Sequence, residues 1–231
     1  MLKVYEISIK TYLLESIEEK DVLQSIAELI DKSFIKNSEL AEFHETNAYK
    51  KYVFNALYPI EKNKIYFKGR IYSFQIRTVD EKLCSHFEKV LVNEYTDKIK
   101  VLTVQKRVVP RRCIEKLYSI TTCIEKFEDG YWKSNHSVEE FEKRLTDNLI
   151  KKYIRATGKK LSEDVEIFNL IEFNNKKPIS VNYKNVKLLG DKVTLYVANN
   201  SIAQELSYFA LGVGVLEMNA RGNGYVNYKL M

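Results

Sequence analysis

The stretch SVEEFEKRLTDNLIKKYIRATG, residues 137–158, decides how the chain divides. Ser137 and Glu140 stand three apart, the pattern of a capping box, in which each side chain satisfies a backbone N–H left unpaired at a helix start. Val138, Phe141, Leu145, Leu149 and Tyr153 then recur at helical spacing and make one apolar stripe. Gly158 is a natural stop, because glycine adopts the left-handed conformation that ends helices. Residues 137–157 therefore read as an amphipathic helix, and its neighbours say what it packs against.

Before it, residues 117–127 are rich in β-branched side chains and strand-like, with a turn at Asp129-Gly130. After it come strand-like residues 165–174, 179–189 and 192–197, a short helix over 200–210 and a last strand over 225–230. The first half runs through the same succession. Residues 4–12 alternate apolar and polar, and Val22, Ile26, Leu29, Ile30 and Phe34 place a helix over 20–36. Residues 52–58 and 65–78 read as strands, the second region interrupted at Gly69. Leu83, Phe87, Val90 and Leu91 share one face of a helix over 81–92, and the strand over 99–109 stops at Pro110.

Each half is thus strand–helix–strand–strand–helix–strand, the ferredoxin-like order. The fold class is α+β, with two tandem ferredoxin-like (RRM-like) βαββαβ domains. A period of about 115 residues is too long for a solenoid and indicates duplication of a whole domain. The boundary falls in VPRRC, residues 109–113, which divides the chain into 1–112 and 113–231. No long linker intervenes, so the halves are expected to pack directly together.

Composition narrows the function. A formal charge of +6 and a pI near 8.9 suit attraction to a polyanion. The 16 tyrosines and 11 phenylalanines against one tryptophan suit half-buried strands and also stacking on bases. Cys84, Cys113 and Cys123 are odd in number and form no C-x-x-C pair, which excludes a zinc site or a disulfide framework. The N-terminus reads as a strand rather than a signal peptide, and no apolar run reaches membrane-spanning length. The expectation is a soluble, cytoplasmic protein without a membrane partner, as a monomer or homodimer.

Glycine is scarce except near the end. Four of eight, Gly212, Gly214, Gly222 and Gly224, fall in LGVGVLEMNARGNGYVNY, residues 211–228. Glu217 occupies the third glycine position of a dinucleotide fingerprint, and no G-K-[ST] follows as a P-loop requires. The segment Arg221-Gly222-Asn223-Gly224-Tyr225-Val226-Asn227-Tyr228 matches the RNA-contacting strand of RRM domains except at Asn223, where that motif has an aromatic. One reading is a cradle in which bare backbone N–H groups meet phosphate and Arg221 adds charge. The other is a bulge or a tight helix–strand contact.

Two G-x-G pairs flanking a short loop near the C-terminus resemble the CRISPR RAMP superfamily, and in particular the repeat-RNA-processing endoribonucleases, the sixth of the numbered CRISPR-associated families. That family is built from two ferredoxin-like halves. FHETNAYKKYVFNALYP, residues 43–59, resembles its catalytic segment, in which a histidine is followed six residues on by a lysine. Here those positions are His44 and Lys50. Many members also carry a tyrosine on the preceding helix. This chain has none between Tyr12 and Tyr49, and Ser33 is the nearest hydroxyl.

The resemblance implies metal-independent cleavage of CRISPR repeat RNA by the substrate's own 2′-hydroxyl, leaving a 2′,3′-cyclic phosphate, with no cofactor. Histidine suits proton transfer near neutrality, and a lysine ammonium stabilises charge on the phosphorane. The implied catalytic pair is His44 and Lys50. Lys51, Arg107, Arg111, Arg112, Gly212, Gly214, Arg221, Gly222 and Gly224 are the implied RNA-binding positions. Other CRISPR-associated proteins of an effector complex are possible partners. The alternative is a non-catalytic RAMP-type RNA-binding subunit. His86 and His136 read as a packing residue and a helix-start residue. Arg77 meets either sugar-phosphate or a buried carboxylate. Lys151, Lys152 and Arg155 serve either RNA or the helix C-terminal dipole.

Overall fold

The computed structural model of the chain describes residues 2–37, 40–42, 46, 49–161, 165–183 and 186–231. In the first half the order is β1 (Tyr5–Leu13), β2 (Ile17–Glu18), α1 (Val22–Phe34), β3 (Tyr52–Phe54), β4 (Ile65–Tyr66), β5 (Ile71–Thr78), α2 (Glu81–Val90) and β6 (Ile99–Val108). The second half continues with β7 (Ile114–Ser119), α3 (Val138–Thr157), β8 (Phe168–Phe173), β9 (Ile179–Tyr183), β10 (Val186–Gly190), β11 (Val193–Val197), α4 (Ser201–Val213) and β12 (Val226–Leu230).

Two four-stranded antiparallel sheets result, ordered β3-β5-β1-β6 and β12-β7-β11-β8. Counting only these strands within each half, both sheets run second, third, first, fourth, which is the ferredoxin order. The fold is therefore α+β with two ferredoxin-like units. The pair β2–β4 and the hairpin β9–β10 are additions to that plan.

The patterns that predict the helices also bury them. Ile26, Leu29, Ile30 and Phe34 of α1 lie in one core with Ile7, Ile9, Phe74 and Phe87. Phe141, Leu145, Leu149 and Tyr153 of α3 lie in the other with Leu117, Leu195 and Phe209. Ser137 and Glu140 make the capping box, and Gly158 ends α3 at φ 71°. Val138 departs from the expected stripe and is exposed, because it stands in the first turn before the helix reaches the sheet.

Three strand expectations change. Residues 179–189 form a hairpin rather than one strand, with Tyr183 paired to Val186. The intervening Lys184-Asn185 lacks the Asn-Gly signature of a two-residue turn. The strand expected over 117–127 ends at Ser119, and the following segment pairs with the glycine-rich loop: Gly224 N–H donates to Thr122 O and Glu217 N–H to Ile124 O. The strand expected over 52–58 ends at Phe54, although Tyr58 bridges Ser73.

The halves pack through α4 and one buried polar network. Tyr208 of α4 donates to Val109 O and accepts from Val4 N–H. Arg77 on β5 bonds Glu6 on β1 at 2.8 Å, the Val226 carbonyl and the Asn227 side chain, with its guanidinium over the Tyr225 ring. Tyr225 donates to Gln75, which itself bonds Glu6. Glu6 and Arg77 are fully buried, so of its two expected partners Arg77 takes the carboxylate.

Candidate functional site

The helical face of α1 turned away from its core presents Leu23, Gln24, Ala27, Glu28 and Asp31 to a cleft of about 740 Å³ between the halves. Across it stand Thr121 and Thr122 after β7, the β9 strand of the inserted hairpin, and Arg221 and Asn223 of the glycine-rich loop. Arg221 bonds Asp31 at 2.6 Å and so closes one side of the cleft.

Lys50 sits where the chain crosses between the halves. Tyr49 packs against the second core, and Tyr52 is buried in the first. Half-buried between them, Lys50 donates to Thr46 O at 2.7 Å. Burial is the main force lowering its pKa, the Arg221 charge adds to it, and Asp31 opposes. A lysine and an arginine remote in sequence thus lie within electrostatic reach of one another. His44 lies outside the described residues.

The other expected positions divide. Lys51 takes a left-handed backbone, φ 55°, and its ammonium pairs with Asp80, the N-cap of α2. Arg107 is largely exposed and bonds Glu6. Arg111 lies over the Tyr208 ring near Glu205, and Arg112 is exposed. Arg107, Arg111 and Arg112 do not line the cleft that holds Arg221.

The glycines require a correction. All four are buried, and the N–H groups of Gly214, Gly222 and Gly224 donate to Ala210 O, Asn219 O and Thr122 O. Those donors are already spent, so in this conformation they cannot cradle a phosphate. The bare backbone of Gly212 and Gly222 serves contact between the halves instead, and that of Gly214 and Gly224 serves close packing within the loop. A Cβ on Gly212 would stand 2.7 Å from Val79, and one on Gly222 would stand 2.7 Å from both Leu23 and Phe54. Gly214 also faces Val53, and Gly224 meets the Val215 carbonyl. Only Arg221 of this segment remains as the charged member at the cleft.

Ser33 cannot stand in for a tyrosine on α1. It is fully buried, donates its proton to Ile30 O, and lies 3.2 Å from His86 Nε2. Successive helical residues turn by about 100°, which puts Ser33 on the core face and Asp31 on the cleft face. His86 is buried and stacked on Phe34, a packing residue set deeper than the exposed or half-buried place expected for it. His136 bonds Asp129 and Glu140 at the start of α3.

Sequence reading missed Asp31, Tyr49 and the role of Lys152. Lys152 contacts neither solvent nor the helix end. It is buried, with its ammonium on the Gly214 and Leu216 carbonyls and on Asn219 Oδ1 at 2.6 Å. The signal was available in part, since Lys152 stands one residue before Tyr153 of the apolar stripe.

Two ferredoxin-like units packed through α4, with a cleft between α1 and a glycine-rich loop, define the structural class. Solved structures share that arrangement. One described as the CRISPR-associated protein Cas6 matches with TM-score 0.72 at 18% identity, over 98% of this chain and 99% of its own. A RAMP protein binding different RNA substrates matches with TM-score 0.77 at 16% identity, over 97% and 99%. The product of a Cas6-related gene from Pyrococcus furiosus matches with TM-score 0.70 at 16% identity, over 98% of each chain. The chain therefore has the Cas6 fold along its whole length. No protein-family model and no curated protein matches it by sequence.

Proposed function

We propose that this protein is a CRISPR-associated endoribonuclease that binds repeat transcripts and cuts them into guide RNAs. The observation that supports the reading is the Arg221–Asp31 pair at the cleft of a chain with the Cas6 fold, with Lys50 within electrostatic reach of both. In this reading the RNA phosphate enters beside Arg221, and Lys50 neutralises charge on the phosphorane. His44, in the segment leading to Lys50, transfers a proton, and the ribose 2′-OH is the nucleophile. Arg107, Arg111 and Arg112 would track the RNA backbone beyond the cleft.

The test is incubation of the full chain with repeat RNA in excess chelator, followed by analysis of product ends. A 2′,3′-cyclic phosphate is expected, and a single 2′-deoxy substitution at the cut site should stop cutting while RNA still binds. Lys50→Ala and His44→Ala should each lower the single-turnover rate by about 10²–10⁴-fold with little change in affinity. A requirement for Mg²⁺ would remove this mechanism.

The buried position of Ser33 and the lack of a tyrosine on α1 favour a second reading, a non-catalytic RAMP-type RNA-binding subunit. It predicts salt-sensitive RNA binding with no cyclic-phosphate product.

A further inference from the structure

Five residues between Gly214 and Gly224 have positive φ: Gly214, Leu216, Met218, Gly222 and Gly224. Leu216 and Met218 carry side chains that disfavour this conformation by about 1–2 kcal/mol each, so something outside the loop must hold it. The contacts that do so converge on two side chains. The Lys152 ammonium donates to Gly214 O, Leu216 O and Asn219 Oδ1. Asn219 Nδ2 in turn donates to Val215 O and Asn223 O, each at 2.9 Å. Together they hold acceptors on both sides of Arg221.

We propose that Lys152 is the positioning residue of the glycine-rich loop, its ammonium fixing the conformation that presents Arg221 to the cleft. Three acceptors surround Nζ, and only the protonated amine has three N–H donors to meet them. The same ammonium lies 5.7 Å from the centre of the Tyr49 ring, next to Lys50. One buried charge therefore lies between the glycine-rich loop and the segment that carries Lys50. The consequence for RNA rests on the function proposed above, whereas the clamp itself does not.

Burial pushes Lys152 down to about 7, opposed by Glu217, Cys123 and Glu125. Glu125 is itself raised to about 8 by burial and by Glu217, with Arg144 and Lys152 opposing. Glu217 also pairs with Lys126.

The experiment is amide hydrogen exchange on the intact chain, read as protection of peptides covering 214–224 relative to β1 and β5. Lys152→Met should raise exchange there by about tenfold or more, with the reference strands unchanged. Lys152→Arg, which keeps a charge and several N–H donors, should restore protection. If Lys152→Met does not fold, Asn219→Ala carries the same comparison from the loop side. Unchanged loop protection in the folded Lys152→Met variant overturns the proposal. Binding of repeat RNA is measured in parallel, where Lys152→Met should weaken affinity no further in an Arg221→Ala background. Wild-type protein that ignores RNA would remove the functional reading and leave the exchange result to decide on the clamp.

Discussion

Individual side chains here are claimed by the interior more often than the sequence indicates. His86 is the clearest case, since a histidine on a charged helix gives no sign that its ring will stack on Phe34. Burial lowers its pKa below the ordinary 6.5, with a contact to Ser33 partly opposing. The folded state therefore resists a proton that the unfolded chain accepts. Stability from this group is complete above about pH 6.5 and is lost as pH falls toward the folded-state pKa. Chemical denaturation of wild type and His86→Gln from about pH 7.5 to about pH 5 should show the wild-type advantage shrinking on the acid side. Parallel curves would refute the assignment. Lys50 could be singled out as a candidate because residue type and spacing are local features of the sequence. Lys152 was not, because a lysine's burial depends on which carbonyls a distant loop brings to it, and neighbouring residues do not encode that.

At the scale of elements, the helices were readable nearly to their ends. Capping signals and apolar periodicity are local, so Ser137, Glu140 and Gly158 mark α3 without help from the rest of the chain. Strands depend on partners. Residues 120–127 look like a continuation of β7, yet they leave the sheet to bond the glycine-rich loop. The glycines were found by counting, but what they avoid could not be seen, since Val79, Leu23 and Phe54 belong to the other half. Gly222 combines φ 85° with a Cβ position 2.7 Å from Phe54. Gly222→Ala should cost about 2–5 kcal/mol from backbone strain and overpacking together. Denaturant melts of the two proteins measure it, and a loss below about 0.5 kcal/mol would mean that the loop moves aside at no cost.

Over the whole molecule, duplication was visible because both halves repeat one order of elements, and the Cas6 fold follows from it. How the halves meet was hidden. Their contact uses α4, the glycines and the network of Glu6, Gln75, Arg77, Tyr225 and Asn227, residues scattered from one end of the chain to the other. Within that network Arg77 is a buried cation held by a buried carboxylate on its own half and by acceptors on the other. Such a joint need not depend on the covalent link through residues 109–113. Expressed as separate pieces, 1–112 and 113–231 should find each other and reassemble, so that reporter fragments fused to them light up together. Removing one partner of a buried ion pair typically costs about 3–5 kcal/mol, so Arg77→Ala should weaken that reunion by at least about a hundredfold. Pieces that stay apart, or that join equally well without Arg77, would refute this. The peptide bond between the halves would then act as a tether, with recognition between the two surfaces supplying the specificity, and the protein could be handled as a two-part switch.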